Sequence, residues 1–168
     1  MGRHKEGAAV AKTNAMRELE RAGVAYDLHV YELEDEHSSH LGERVAAQTG
    51  LDPDACFKTL VCCGAPGVHV VCCIPVACEL DLKKAARAAG EKSLSMLPMR
   101  DLLAVTGYVR GGCSPVGMKR RFPTLIDETA QLFDRIAVSG GRVGTQLVLD
   151  PLALARFAGA SFADLTEA

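Results

Sequence analysis

Two almost uninterrupted apolar stretches, Cys56 to Cys63 and Val68 to Val76, are separated only by Gly64-Ala65-Pro66-Gly67. This arrangement constrains the chain more than any other feature. The stretches read as strands, and the Gly and Pro residues between them suit a tight hairpin connection. Continuous rather than alternating apolarity implies that both faces of the hairpin are buried. The longer run from Leu60 to Cys78 is broken by Gly64, Pro66, Gly67, His69 and Pro75, which makes it a poor membrane span.

The flanking segments supply what packs around the hairpin. Residues 6–22 carry helix formers with Val10, Met16 and Leu19 roughly on one face, and Gly23 is a stop signal. Val24 to Tyr31 is rich in β-formers, Glu34 to His40 reads as a polar loop, and Leu41 to Thr49 as a short helix closed by Gly50. Asp81 is a good N-cap for a helix from Leu82 to Ala89, and Gly90 ends it. A further helix is expected from Pro98 to Val105. Leu125 to Asp127, Arg135 to Ser139 and Gln146 to Leu149 read as short strands, and Pro151 to Phe157 opens a terminal helix. Strands and helices follow one another without a regular βαβ rhythm, so the expected class is mixed α/β of α+β character. At 168 residues the chain is long enough for one domain, residues 1–168, and for a core without disulfide or metal staples.

The net charge of −2 argues against a generic nucleic-acid binder, yet it conceals a division. Residues 24–56 contain 1 Lys or Arg and 8 Asp or Glu, whereas residues 57–121 contain 10 and 4, a local excess of +6. Such polarity can guide a polyanion to one face. The N-terminal Met1 to Glu6 lacks the apolar core of a signal peptide, so a cytoplasmic location with reduced thiols is expected for the 7 cysteines. Cys62-Cys63 and Cys72-Cys73 are adjacent pairs whose side chains point to opposite faces of a strand, and no Cys-x-x-Cys occurs. They read as small buried hydrophobes; no metal and no other cofactor is expected.

The most informative stretch is Gly111-Gly112-Cys113-Ser114-Pro115-Val116-Gly117-Met118-Lys119. Paired glycines let the backbone approach a ligand and aim N–H groups at an anionic oxygen, either an ester carbonyl or a phosphate. The order is not that of a P-loop. Lys119-Arg120-Arg121 follows and could reach a nucleic-acid backbone. Lys58 is the only charge between Cys56 and His69, inside a strand suited to burial, where it is an edge residue or a functional cation in a cleft. Tyr31, ending the preceding strand, could be core, rim or ligand contact.

Four blocks carry a resemblance to a known family. They are Phe57-Lys58-Thr59-Leu60; Pro75-Val76 with Glu79 to Ala86; Thr106-Gly107-Tyr108 through Gly111 to Gly117 and on to Pro123-Thr124-Leu125-Ile126-Asp127; and Val138-Ser139-Gly140-Gly141. With Phe162 to Leu165, the chain resembles over residues 14–166 the YbaK/EbsC group of free-standing aminoacyl-tRNA editing proteins, most closely its Cys-tRNA(Pro) deacylase branch. The resemblance implies a YbaK-like fold, a central barrel-like mixed sheet surrounded by helices. It implies removal of Cys wrongly attached to tRNA for proline, extending to Cys-tRNA(Cys), with the aminoacylated CCA end of tRNA as partner and prolyl-tRNA synthetase as a candidate second partner.

By the same resemblance Lys58 matches an essential lysine and Tyr31 a tyrosine that lines the pocket. The loop from Gly111 to Gly117, including Pro115, matches the backbone that holds the substrate's carbonyl and terminal ribose. Lys119, Ser139, Gly140 and Gly141 complete the implied substrate-binding set. Gln146 departs from it, standing where the family pattern places an Asp; an amide can hydrogen-bond but supplies no negative charge. The implied chemistry has the substrate's own cysteinyl thiol attack its ester carbonyl, releasing tRNA and a cyclic thiolactone. A thiol with a pKa of about 8.5 is appreciably ionised near neutrality, whereas a serine hydroxyl is not. Lys58 then positions the acylated ribose and carbonyl, and the backbone amides of Gly112, Cys113 and Ser114 stabilise the oxyanion. Two alternatives stand beside this reading: an Ala-tRNA(Pro) deacylase of the same superfamily, and a non-catalytic RNA-binding module that has kept the fold.

Overall fold

The computed structural model describes residues 11–31 and 41–168. The expected polar loop at 34–40, the acidic run that includes Glu34 to Glu36, and the start of the expected helix at 6–22 lie outside them. The elements run α1 (Asn14–Arg21), β1 (Asp27–Val30), α2 (Leu41–Thr49), β2 (Phe57–Cys63), β3 (His69–Pro75), α3 (Leu82–Ala89), β4 (Ser95–Met96), α4 (Leu102–Thr106), β5 (Thr124–Asp127), β6 (Ile136–Ser139), β7 (Thr145–Leu149), α5 (Pro151–Ala158) and β8 (Ser161–Ala163).

The hairpin is the centre of the larger sheet. β2 pairs antiparallel with β3 from Phe57↔Pro75 to Cys63↔His69, and the sheet order is β4-β2-β3-β5-β8, with β3–β5 and β5–β8 parallel. Side-chain alternation sends Phe57, Val61, Val71 and Cys73 into one apolar cluster with Met16, Ile126 and Leu147. Cys62, Val70, Cys72 and Ile74 enter a second, with Ala85 and Ala86 of α3 and with Leu165. Both faces of the hairpin are covered, as its unbroken apolarity requires. All seven cysteines are free, and among the described residues no group of His, Cys, Asp or Glu is arranged to hold a metal.

A second sheet of order β1-β7-β6, antiparallel throughout, packs Ile136, Val138, Leu147 and Leu149 into the first cluster. The two sheets are joined by one parallel bridge, Cys56↔Ala137. The barrel-like sheet implied by the resemblance is therefore corrected: the described residues form two open sheets and no closed barrel. The reason lies at the outer edge of β2. β4 covers only Cys62 and Cys63, Leu97 N donates to Val61 O at 3.0 Å, and the bridge at Cys56 marks the other end, so the middle of the edge pairs with no strand among the described residues.

Local signals account for most boundaries. Asp81 Oδ1 accepts from Lys83 N and Lys84 N at 3.0 Å, and Gly90 closes α3 with φ +73°. Thr13 caps α1 by accepting from Met16 N at 3.2 Å, so Ala11 and Lys12 are not helical, and α1 starts later than its composition suggests. The helix expected at 98–105 divides into a 3₁₀ turn at Met99–Asp101 and then α4. β4 and β8 were not foreseen; both are three residues or shorter. Asp127 at the end of β5 is 1% exposed and accepts from Thr129 Oγ1 at 2.6 Å and from Leu165 N at 3.0 Å, which ties the C-terminal segment to the larger sheet.

Candidate active site

The open edge of β2 faces a cavity of about 350 Å³. Phe57 to Val61 form one wall, Met96, Leu97, Met99 and Leu102 a second, and Arg110, Gly111 and Cys113 a third; Ser139 and Gln146 close it from the smaller sheet. Five residues expected in the site thus line one cavity: Lys58, Gly111, Cys113, Ser139 and Gln146. Lys58 is half-buried and has no hydrogen bond or ion pair with a described residue. An ammonium in a largely apolar cavity is available to an incoming negative or polarised oxygen.

The Gly-rich loop is shaped by a turn. Gly112 N donates to Val109 O at 3.0 Å, and Gly111 between them has φ +82°, a conformation natural to glycine. Gly112 packs so closely on Arg142 and Val143 that a Cβ there would lie 3.0 Å from Val143 N. The N–H groups of Cys113 and Ser114 have no acceptor among the described residues, although both residues are buried. Of the three residues whose N–H groups were expected to meet a ligand oxygen, Gly112 has its N–H engaged by Val109 O, and only Cys113 lines the cavity.

Tyr31 and Gln146 meet behind this wall. Gln146 Nε2 donates to Tyr31 Oη at 3.1 Å, and both residues are buried. Burial pushes the Tyr31 phenol upward, partly offset by the bond from Gln146. Tyr31 reaches the cavity through Gln146. Its own backbone is held by Gly144, whose carbonyl accepts from Tyr31 N at 2.9 Å. Ser139 Oγ accepts from Gly141 N at 3.2 Å, and Gly140 packs on Thr145 so tightly that a Cβ would lie 2.6 Å from Thr145 Oγ1. The Ser-Gly-Gly block shapes the β6–β7 turn, and only its serine borders the cavity.

Pro115, Gly117 and Lys119 lie elsewhere. They line a second depression of about 170 Å³ between the loop, Glu18 of α1 and Phe157 of α5. Lys119 Nζ donates to Ala104 O at 3.4 Å near the end of α4, and Arg121 Nη1 donates to Phe157 O at 3.2 Å near the end of α5. Both cations complement the negative ends of helices. Sequence reading missed the contribution of Met99, Leu102 and Arg110 to the first cavity; Arg110 had registered only in the charge excess.

No protein thiol in the cavity is poised to react. Burial pushes both the Cys113 and Cys56 thiols up to about 11, with Thr106 opposing the effect at Cys113 and Asp52 adding to it at Cys56. Each is overwhelmingly neutral near pH 7.

Residues 36–157 match the family described as the aminoacyl-tRNA editing domain. The chain belongs to this family. Within it, the YbaK/EbsC group is marked by a relative from Enterococcus faecalis (strain ATCC 700802 / V583) named a Cys-tRNA(Pro)/Cys-tRNA(Cys) deacylase, EbsC; it is 45% identical over 155 residues, which is 92% of this chain and 93% of that protein. Among solved structures, one described as a trans-editing enzyme for prolyl tRNA synthetase superposes with a TM-score of 0.80 at 25% identity, covering 92% of this chain and 96% of that one. The hypothetical protein APE2540 shares the fold with a TM-score of 0.81 at 21% identity, over 92% of this chain and 100% of its own. Among the described residues of this editing-family member, no helix is long and apolar enough to cross a membrane.

Proposed function

We propose that the protein deacylates Cys-tRNA(Pro), and Cys-tRNA(Cys) as a second substrate, with the nucleophile supplied by the substrate. The observation that carries this reading is a cavity that combines Lys58, unpaired among the described residues, and Cys113, whose backbone N–H has no acceptor among them, with thiols whose burial favours the neutral form. Such a site can position and polarise an ester but lacks an ionised nucleophile of its own. The cysteinyl thiolate attacks its own carbonyl carbon; a C–S bond forms, the C–O bond to the ribose breaks, and the ribose oxygen takes up a proton. The product is a cyclic thiolactone, which opens in water.

Lys58 holds the acylated ribose and its carbonyl, and the N–H group of Cys113 receives the oxyanion. Gly111 gives the substrate close access to the loop. Ser139 and Gln146, the latter oriented by Tyr31, border the acyl end; Gln146 offers a neutral hydrogen-bonding group to the aminoacyl portion where the family pattern has an acid. Discrimination against Ser then comes from reactivity as well as fit, which matters because pockets separate near-isosteres weakly. Prolyl-tRNA synthetase is the proposed partner in tRNA selection, since an editing cavity of this size accommodates only the end of the acceptor strand. The proposed setting is cytoplasmic translation.

Deacylation of Cys-tRNA(Pro) by Lys58→Ala and Cys113→Ala tests the assignment. Lys58→Ala should lower the rate by about 100-fold or more, on the scale of a lost oxyanion contact. Wild-type activity in Lys58→Ala would remove Lys58 from the mechanism, and inactivation by Cys113→Ala with a folded protein would point to the Cys113 thiol as the nucleophile instead.

A further inference from the structure

The sequence suggested that Lys119-Arg120-Arg121 meets the nucleic-acid backbone, but the structure directs Lys119 and Arg121 to helix-terminal carbonyls, and Arg121 also stacks 5.2 Å from the centre of the Phe157 ring. Arg142, beside the Gly-rich loop, is likewise engaged, Nη2 donating to Ala11 O at 3.1 Å. One arginine near the cavity stands apart. Arg110 is exposed, lines the cavity, and makes no hydrogen bond or ion pair with a described residue.

Its placement is fixed by the loop. Arg110 occupies the second position of the Val109–Gly112 turn, closed by the bond from Gly112 N to Val109 O, with Gly111 at φ +82° after it. The turn is anchored by the packing of Gly112 on Arg142 and Val143. Apart from Lys58, Arg110 is the only charged residue among those lining the cavity, and no carboxylate shares that lining among the described residues. An exposed guanidinium in the cavity lining, unpaired among the described residues, favours an anion with planar, bidentate acceptor geometry, which a phosphodiester provides.

We infer that Arg110 binds the phosphodiester joining the terminal, aminoacylated nucleoside to the rest of the RNA strand. This rests on the deacylase reading, which places the acyl group and its ribose in the cavity of about 350 Å³ beside Lys58. With that space filled, the next phosphate lies outside it, where an exposed residue of the lining such as Arg110 can meet it. Lys58 and Arg110 thereby divide the work: the inner cation acts on the reacting ester, and the outer one reads the strand that carries it.

The experiment compares three cysteinyl esters, of adenosine, of the trinucleotide CCA and of tRNA(Pro), with the wild-type protein and the Arg110→Gln and Arg110→Lys variants. Only the first ester lacks the phosphodiester. Arg110→Gln should lower the ratio of kcat/KM for the CCA ester over the adenosine ester about tenfold, through KM, and the ratio for tRNA equally; Arg110→Lys should recover part of the loss. The dependence of log KM on log salt should become less steep by about 0.7 for the CCA ester. An equal loss on all three esters would place Arg110 in the reaction itself, and a loss confined to tRNA would place it against the duplex stem. Either result, or unchanged ratios, overturns the inference. Failure of the wild-type protein to cleave any of the three would overturn the deacylase reading with it.

Discussion

Tyr31→Phe removes a single oxygen from a buried pair, and its effect can be worked out from the geometry. Tyr31 Oη accepts from Gln146 Nε2 at 3.1 Å, with the two residues 8% and 6% exposed, so the substitution strands the amide without that acceptor. An unpaired buried donor costs about 1–3 kcal/mol. For a chain of this length each 1 kcal/mol lowers Tm by roughly 2–4 °C, which gives a fall of about 2–12 °C. Gln146→Ala removes the donor instead, and the double variant removes both partners. The two single losses should therefore exceed the double loss, with a coupling energy of about 1–2 kcal/mol in a double-mutant cycle. Urea unfolding followed by circular dichroism measures it, the chain having no Trp to report by fluorescence. Because the pair orients Gln146 at the cavity wall, KM for Cys-tRNA(Pro) should rise in Tyr31→Phe. Strict additivity of the two substitutions would refute the interaction and, with it, the account of how Tyr31 reaches the site.

Two further outcomes follow from packing and titration. The Cys56 and Cys113 thiols are raised by burial from 9.0 to about 11, so the folded protein holds their protons more tightly than the unfolded chain. Their contribution to stability is complete below about pH 9 and is lost as pH rises through about 11; unfolding midpoints measured from pH 8 to 11 should fall across that window, and less steeply in Cys113→Ala. Gly117 has φ +80°, and a Cβ there would lie 2.7 Å from Ala15 N and from Tyr108 Oη. Gly117→Ala should destabilise the fold by about 2–4 kcal/mol, seen as a lower urea midpoint, and a wild-type midpoint would show that α1 and the loop can separate.

The parts of the fold that were legible in the sequence are those fixed by local chemistry. The hairpin, the capped helix α3 and the glycine stop at Gly90 each depend on residues next to one another. β4 and β8 escaped because two or three residues carry no periodicity, and their pairing is set by β2 and β5 far away in sequence. The open edge of β2 depends on where β4 stops, which is a tertiary outcome. At the site, Lys58 was conspicuous as a charge in an apolar strand, and the glycines of the loop declared a close approach. The division of that loop was not legible: Arg110, Gly111 and Cys113 line the cavity, whereas Pro115, Gly117 and Lys119 turn towards α1 and α5. Spacing along a chain does not reveal that a loop serves two surfaces. Arg110 was obscured for the same reason, since its place in the cavity lining is set by the fold and not by its neighbours in sequence.

The central claim is that the thiol doing the chemistry belongs to the substrate. It is tested most directly by charging tRNA(Pro) with Cys or with Ser, which differ by one atom, and measuring deacylation of each by the wild-type and Cys113→Ala proteins. The account predicts rapid loss of Cys, loss of Ser slower by about 100-fold or more, and no change in either rate in Cys113→Ala. Comparable rates for Ser and Cys would contradict it.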